Sequence, residues 1–305
     1  MVTGANKGIG LAIVRQLVDR GCFVFLGSRS PERGAAAKAS LKDSGNVEVV
    51  QIDVTDQASV DAAAAAVKAK CAADGSTLHA LVNNAGLAKS FGYDNHADHE
   101  ETLCVNWHGV VRVTNAFLPL LSGGGRVVMI GSGAGPSFVA KCTADRKRFF
   151  LNPAITVGDI EELVAQISAA SAKHAAAGTS PVADFEALGV AGSGSYGLSK
   201  ACVSAYAMHL ARAHPHLVVN SCTPGFIETD LTRPFADAQG ADYREFGLLP
   251  VDKGAVCPVK LTLDPLAVPS GEAWFFGSDS ERSPFHKYRS PYKEPPFDGV
   301  LEADL

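Results

Sequence analysis

The sequence predicts an α/β protein built on a doubly wound parallel sheet of the Rossmann type, with helices on both faces of the sheet. Three observations predict this fold. The strand-like stretches are continuous apolar runs, which is typical of strands buried on both faces. Helical stretches alternate with them along the chain. A glycine-rich segment, Gly4 to Gly10, lies between the first strand and the first helix. The 305 residues are enough for one large domain, 1–305.

The predicted elements follow one another in a regular order. Val2 begins a strand, and Ile9, Ile13 and Leu17 then form one stripe of a helix over 9–20. The other predicted strands are 22–28, 47–52, 78–84, 125–132, 217–222 and 273–276, and the other helices between them include 32–43, 57–73 and 195–213. Because the chain opens inside the first strand, we expect part of that strand, and any targeting segment, to lie upstream of residue 1.

The alternation is interrupted over residues 136–192. This stretch contains a basic cluster, a helical pattern over about 158–173 and an exit rich in Gly, Ser, Pro and Ala. It therefore predicts an insertion with one short helix that lies outside the sheet. Residues 279–305 are rich in Pro, Ser and charge, and we expect them to form a largely irregular tail.

The composition argues against several classes of function. The formal net charge is −5 and no long basic stripe occurs, so we expect no nucleic-acid partner. Seven cysteines, an odd number without a Cys-x-x-Cys motif, argue against a disulfide framework or a zinc site and favour a reducing, cytoplasmic location. No apolar run is long enough to span a bilayer, so we expect no membrane partner.

The glycine-rich segment predicts a phosphate-binding loop. Glycines let the backbone turn sharply and approach a pyrophosphate, whose charge the N-terminus of the following helix stabilises. The spacing Gly-x-x-x-Gly-x-Gly differs from the Gly-x-Gly-x-x-Gly fingerprint, and an ordinary structural turn is the alternative. The strand–loop–helix context favours a dinucleotide, with contacts expected from Gly4, Asn6, Lys7, Gly8, Ile9 and Gly10.

Arg29 indicates which dinucleotide binds. It follows the second strand, where NAD-binding proteins carry a carboxylate for the ribose 2′-hydroxyl, and residues 27–30 contain no carboxylate. A guanidinium there would bind the 2′-phosphate of NADPH, and Lys7 would add a second positive charge. Alternatively, both are solvated surface cations. Asp53, after the third strand, either accepts a hydrogen bond from the adenine amino group or caps a turn or helix.

Tyr196 and Lys200 form the clearest catalytic pair. Four residues apart on a helix, they lie on one face. A free phenol has a pKa near ~10 and a nearby ammonium lowers it, so we expect Tyr196 to exchange a proton with a substrate oxygen. Ser132, at the end of a strand, is expected to hold that oxygen. We expect Asn106 to orient a water that leads from Lys200 to solvent.

Other interpretations of these residues are open or weaker. A Tyr-x-x-x-Lys pair also arises by chance, but Ser132 and the segment 83–86 favour catalysis. Ser132 lacks the Gly-x-Ser-x-Gly elbow of a hydrolase, and the histidines show no metal-ligand spacing, so we expect no metal. Four aromatic residues suggest a substrate pocket, although burial in the core explains them equally well: Phe91, Tyr93, Phe138 and Phe226.

Taken together, these motifs resemble those of the short-chain dehydrogenase/reductases over residues 1–277. The matching segments are TGANKGIG (3–10), Asp53, NNAG (83–86), Asn106, Ser132, YGLSK (196–200) and PGFIETD (224–230). The resemblance implies an oxidoreductase that uses the catalytic residues named above. It also implies further cofactor contacts from Val54, Asn83, Ala85, Gly86, Tyr196, Lys200, Pro224, Gly225, Ile227 and Thr229.

Within that family the chain looks most like the monomeric NADPH-dependent carbonyl reductases. Their opening resembles residues 5–17, their insertion resembles residues 148–164, and they share the long separation of Ser132 from Tyr196. The resemblance implies NADPH-dependent reduction of ketones, aldehydes or quinones. It also implies a monomer, because the insertion covers the helix face through which relatives associate. An NADP-dependent alcohol dehydrogenase acting in oxidation and a non-catalytic NADP-binding regulatory protein are the alternatives.

Overall fold

The computed structural model describes residues 1–89, 95–190, 194–234, 247–266 and 270–278, and the backbone of 282–283. Within these residues the strands are β1 (Val24–Ser28), β2 (Val47–Gln51), β3 (Leu78–Asn83), β4 (Leu121–Ile130), β5 (Val218–Cys222), β6 (Phe275–Phe276) and β7 (Arg282–Ser283). The helices are α1 (Gly8–Asp19), α2 (Pro31–Ala39), α3 (Gln57–Ala73), α4 (His96–Leu103), α5 (Gly109–Phe117), α6 (Ala134–Lys141), α7 (Ala144–Leu151), α8 (Val157–Ala177), α9 (Val182–Ala187), α10 (Ser195–Ala213) and α11 (Val251–Leu263). A π-helical turn, Cys104–His108, joins α4 to α5.

The strands form a sheet in the order β2-β1-β3-β4-β5-β6-β7. Strand β1 pairs with β2, and β3 to β6 pair in succession, all in parallel. Val2 joins the two groups because it bridges Leu26 in β1 and Val82 in β3. Strand β7 runs antiparallel to β6. The predicted parallel α/β fold is confirmed, with one antiparallel edge strand in the segment expected to be largely irregular.

Apolar side chains on both faces of the sheet place the helices on both sides. In β4, Val127 and Met129 pack into a core with α10 and the insertion. Their neighbours Val128 and Ile130 point the opposite way, into a core with α1 and α11. Alternation of side chains along a strand requires this arrangement, and continuous burial explains why the strands are apolar throughout.

Local capping explains where the flanking helices begin and end. Ser30 Oγ accepts a hydrogen bond from Arg33 N at the start of α2, and Asp56 caps α3 in the same way. Helix α2 ends at Ala39, four residues before the predicted end. Ser40 Oγ donates to the Ala37 carbonyl at 2.6 Å, and such local bonds compete with continuation of a helix.

The insertion is more helical than the sequence predicts. Its central helix α8 extends four residues beyond the predicted end, because a run of alanines and small residues continues the helix without an apolar stripe. A capping box between Thr156 and Asp159 begins α8, and Gly178 in the left-handed conformation, with φ 65°, ends it. Helices α7 and α9 were not predicted. The insertion lies outside the sheet, as expected, and packs against α10.

Candidate active site

A cavity of about 630 Å³ lies where the parallel strands end. In a doubly wound sheet the loops that follow the strands meet at this edge, so residues distant in sequence come together there. Most of the predicted site residues line the cavity: Gly4, Asn6, Lys7, Gly8, Ile9, Gly10, Arg29, Asp53, Val54, Ala85, Gly86, Ser132, Tyr196, Lys200, Pro224, Gly225, Ile227 and Thr229.

Asn83 is the one predicted cofactor contact that does not line the cavity. It is the last residue of β3, and its side chain is buried. Asn83 Nδ2 donates to Thr114 Oγ1 at 2.9 Å and to Met129 Sδ at 3.3 Å. Because side chains alternate along a strand, Asn84 is the residue that reaches the cavity wall.

Asn106 lies beside the cavity without lining it. Its Oδ1 accepts from Leu87 N at 2.9 Å, and its Nδ2 donates to Leu87 O at 2.8 Å and to Ser199 Oγ at 3.1 Å. It is fully buried in the π-helical turn. A Cβ built at Gly86 would lie 3.3 Å from Asn106 Oδ1 and 3.6 Å from Lys200 Nζ, so these two polar groups lie close together behind Gly86.

Two residues missing from the prediction hold the glycine-rich loop in place. Asn84 Nδ2 donates to Thr3 O at 2.8 Å and to Gly4 O at 3.2 Å. Thr3 Oγ1 accepts from the backbone N–H groups of Asn84 and Ala85, both at 3.0 Å. Thr3 and Asn84 were part of the matching motifs, but a motif does not say which members bind and which support.

The loop and the start of α1 fit a phosphate group. Gly8 has φ 55°, which favours glycine, and the side chain of Lys7, the N-cap residue, makes no capping hydrogen bond. The first turn of α1 contains no acidic residue. The positive end of the helix therefore faces the cavity without a carboxylate of its own, as an anion-binding site requires.

Positive charge gathers at the end of the cavity that follows β1. Arg29 and Arg33 both line it and are exposed. Arg33, in the first turn of α2, was not predicted, although its position four residues after Arg29 was a usable signal. The donor set at this end fits an additional phosphate.

Of the two roles left open by the sequence for Asp53, the structure shows the turn cap, and the contact with adenine stays a prediction. Its Oδ1 accepts from Thr55 N at 2.9 Å and Thr55 Oγ1 at 2.7 Å, which stabilises a turn. Burial raises the pKa of the Asp53 carboxyl, but the Thr55 hydrogen bonds and the Arg29 charge lower it by more. Asp53 is therefore a carboxylate at neutral pH that caps a turn and also lines the cavity.

Tyr196 and Ser132 meet in the lining of the same cavity. Tyr196 is the second residue of α10, and Ser132 lies just after the end of β4. Their side chains are hydrogen-bonded to each other. Burial raises the pKa of the Tyr196 phenol, and the Ser132 hydrogen bond offsets this only in part. In the structure the net effect on this pKa is therefore upward, and the phenol is protonated at neutral pH.

Lys200 lies beneath Tyr196 and is buried. Its Nζ is 5.7 Å from the centroid of the Tyr196 ring and donates to Ile130 O at 2.7 Å. Burial lowers the pKa of Lys200 to about 8. The ammonium is thus directed towards a backbone carbonyl, close to Asn106, and its proton is more easily released than that of a solvent-exposed lysine.

The aromatic residues contribute less to the cavity than the pocket interpretation suggests. Phe138 is buried in the core and packs edge-to-face on Phe150, with ring centroids 5.8 Å apart. Phe226 is not among the residues that line the cavity. Phe91 and Tyr93 lie outside the described residues. Among the described residues, no cluster of His, Cys, Asp and Glu has the geometry to hold a metal ion, and no helix is long and apolar enough to cross a membrane.

Comparison with known proteins identifies the family. The family model for short chain dehydrogenase matches residues 1–144. Short-chain dehydrogenase/reductase 1 of Saponaria officinalis is 34% identical over 319 residues, covering 93% of this chain and 95% of that protein. NADPH carbonyl reductase 3 of Rattus norvegicus is 30% identical over 279 residues, covering 87% of this chain and 90% of that protein.

A solved structure extends this similarity to three dimensions. Salutaridine reductase from Papaver somniferum superposes with a TM-score of 0.72 at 29% identity, covering 90% of this chain and 98% of that one. Both the sequence match and the fold therefore span nearly the whole length of the relatives. The chain belongs to the short-chain dehydrogenase/reductase family of oxidoreductases.

Proposed function

We propose that this protein reduces ketones, aldehydes or quinones to alcohols with NADPH, and that Tyr196 is the general acid. The observation that carries the proposal is the hydrogen-bonded pair of Tyr196 and Ser132 on the wall of a cavity that also contains Lys200. The phosphate-binding loop and Arg29 line the same cavity. The carbonyl reductases among the relatives support this substrate class.

Each catalytic residue has a role that its position supports. When bound, NADPH supplies the hydride for the carbonyl carbon. Ser132 holds the carbonyl oxygen by donating a hydrogen bond, and Tyr196 donates the proton that this oxygen gains. Lys200, with its lowered pKa, then donates a proton to Tyr196. Asn106 orients the water through which Lys200 regains a proton from solvent.

Tyr196 is in the protonation state that a general acid needs. An acid must hold its proton before the reaction, whereas a base must have lost it. Because burial raises the pKa of Tyr196, the protonated form predominates at neutral pH. The carbonyl reductases among the relatives favour reduction over an alcohol dehydrogenase acting in oxidation. The presence of all three catalytic residues in the lining of one cavity argues against a purely regulatory protein.

Arg29 and Arg33 support NADPH over NADH. Two guanidinium groups beside the cavity, at the end of β1, match the charge of a 2′-phosphate. We also propose a monomer and a cytoplasmic location. The packing of the insertion on α10 supports the first. The second is supported by the seven cysteines, all within the described residues, none of which forms a disulfide.

The proposal is tested by Tyr196→Phe. This change removes the acidic proton and keeps the ring, so NADPH binding should be nearly unchanged while turnover falls by about 10²- to 10⁴-fold. NADPH binding is measured by fluorescence titration, and turnover by NADPH oxidation with a panel of quinones, diketones, aldehydes and monoterpenoid ketones. Wild-type protein that oxidises NADPH with none of these, or Tyr196→Phe that retains full turnover, would contradict the proposal.

Tyr206→Phe is the matched control. Tyr206 is also buried in α10, and its hydroxyl donates to Asn115 Oδ1 at 3.4 Å, away from the cavity. Removing this hydroxyl should leave turnover within about twofold of wild type, because it makes one long, weak hydrogen bond.

A further inference from the structure

Lys7 forms an ion pair with a neighbouring carboxylate. Lys7 Nζ donates to Asp230 Oδ2 at 2.7 Å, across the gap between the phosphate-binding loop and the segment after β5. Both residues line the cavity. The pKa of Asp230 lies below its ordinary value, chiefly because of the hydrogen bond from Lys7, so Asp230 is a carboxylate at neutral pH.

Backbone and side-chain contacts fix Asp230 opposite Lys7. Thr232 Oγ1 accepts from Thr229 N at 3.0 Å, which closes a tight turn around Asp230. Glu228 N donates to Leu249 O at 2.9 Å and anchors the start of that turn. The Thr229 methyl group lies 3.6 Å from where a Cβ would be at Gly8. The carboxylate is therefore presented to Lys7 by a structured turn.

Among the residues that the structure describes, the charges of the ion pairs linked to Lys7 cancel. Arg233 Nη2 lies 3.0 Å from Glu228 Oε1, and Arg233 Nη1 lies 3.6 Å from Asp230 Oδ1. Two cations and two anions thus form a neutral row of ion pairs beside the phosphate-binding loop. Without Asp230 this row has a net positive charge, because Lys7 loses its partner. That charge would lie in the cavity where the cofactor phosphates are proposed to bind.

We propose that Asp230 limits the preference for NADPH, because it holds the Lys7 ammonium away from the cofactor's 2′-phosphate. The inference rests on the proposed function. In this arrangement Arg29 and Arg33 supply most of the discrimination, and Lys7 contributes only to the extent that it leaves Asp230. Asp230 is therefore a positioning residue that sets cofactor specificity without touching the reacting atoms.

The size of the effect follows from the exposure of the pair. Lys7 and Asp230 side chains are each 61% exposed, and exposed ion pairs are worth about 0.2 to 1 kcal/mol. Asp230→Asn should therefore raise the affinity for NADPH by about 1.4- to 5-fold at low ionic strength. The gain should shrink in 0.5 M salt, because exposed charges are screened.

The experiment compares dissociation constants for NADPH and NADH by fluorescence titration. Asp230→Asn should strengthen NADPH binding with little change for NADH. Glu228→Gln is the matched control. It also removes one negative charge from this group of ion pairs, but Glu228 is paired with Arg233, so Lys7 is not released. In the background Lys7→Met, Asp230→Asn should no longer change the preference. Arg29→Ala, which should reduce the preference for NADPH, serves as the reference for a lost phosphate contact.

The outcomes separate this inference from the proposed function. An unchanged preference in Asp230→Asn, an equal gain for NADPH and NADH, or the same gain in Glu228→Gln or in the Lys7→Met background would overturn the role of Asp230. Each of these leaves the proposed function intact. Wild-type protein that binds neither nucleotide would overturn both.

Discussion

Lys200 lies inside the protein with its ammonium directed at the Ile130 carbonyl, and Tyr196 lies above it. Their four-residue spacing predicts that they share a helix face, which is correct. It does not predict their protonation, because burial raises the pKa of one and lowers the pKa of the other. Burial penalises the charged form of each group, so the phenol keeps its proton and the ammonium loses its proton more easily.

The lowered pKa of Lys200 predicts a pH-dependent stability. Folding lowers this pKa from 10.5 to about 8. Between these values the unfolded chain binds more protons, so the contribution of Lys200 to the free energy of unfolding rises with pH. Below about pH 8 the buried ammonium costs the folded protein up to about 3 kcal/mol.

Chemical denaturation of wild type and Lys200→Met near pH 7.5 and pH 9.5 checks this prediction. The wild type should gain roughly 2 kcal/mol relative to Lys200→Met over this interval, since methionine does not titrate. Any constant loss from the missing hydrogen bond cancels in the comparison. A difference between the two proteins that stays the same at both pH values would contradict the buried, titrating ammonium.

At the scale of elements, the phosphate-binding loop depends on β3 as much as on its own glycines. Asn84, directly after β3, donates a hydrogen bond to the Gly4 carbonyl. The first turn of α1 packs closely against the Asn84 side-chain amide. A Cβ at Gly10 would lie 2.5 Å from Asn84 Nδ2 and 2.6 Å from Gly4 O. Glycine at position 10 is therefore required by the close approach of helix, loop and strand end.

This close approach predicts that Gly10→Ala weakens NADPH binding by about tenfold or more, because the loop must move away from Asn84. NADPH titration measures the loss, and circular dichroism establishes that the variant is folded. Gly45→Ala is the control, because a Cβ there has nothing within 4 Å. A folded Gly10→Ala protein with wild-type affinity would show that the loop tolerates the displacement.

At the scale of the whole molecule, the insertion completes the hydrophobic core on one side of the sheet. Phe150, Ile160 and Leu163 are buried in the same cluster as Trp107 and Tyr206. Helix α8 also packs against α4 and α10. The chain's own residues thus cover surface that α4 and α10 would otherwise expose.

This packing predicts that the protein is a monomer. Sedimentation velocity from micromolar to about 100 μM protein should give the mass of one chain throughout, because the apolar helix face is already buried within the chain. A mass that doubles or quadruples with concentration would contradict the prediction and indicate that another surface associates.

The sequence by itself determined the parallel α/β fold, and it predicted the glycine-rich loop and the Tyr196–Lys200 pair that line one cavity, because apolar periodicity and residue spacing are local properties of the chain. Only the tertiary structure decided that Asn84 and not Asn83 reaches the cavity, that Arg33 joins Arg29, that Lys7 pairs with Asp230, and that burial keeps Tyr196 protonated. Each of these depends on distances between segments far apart in sequence, or on the exclusion of water, and neither property can be read from a local pattern.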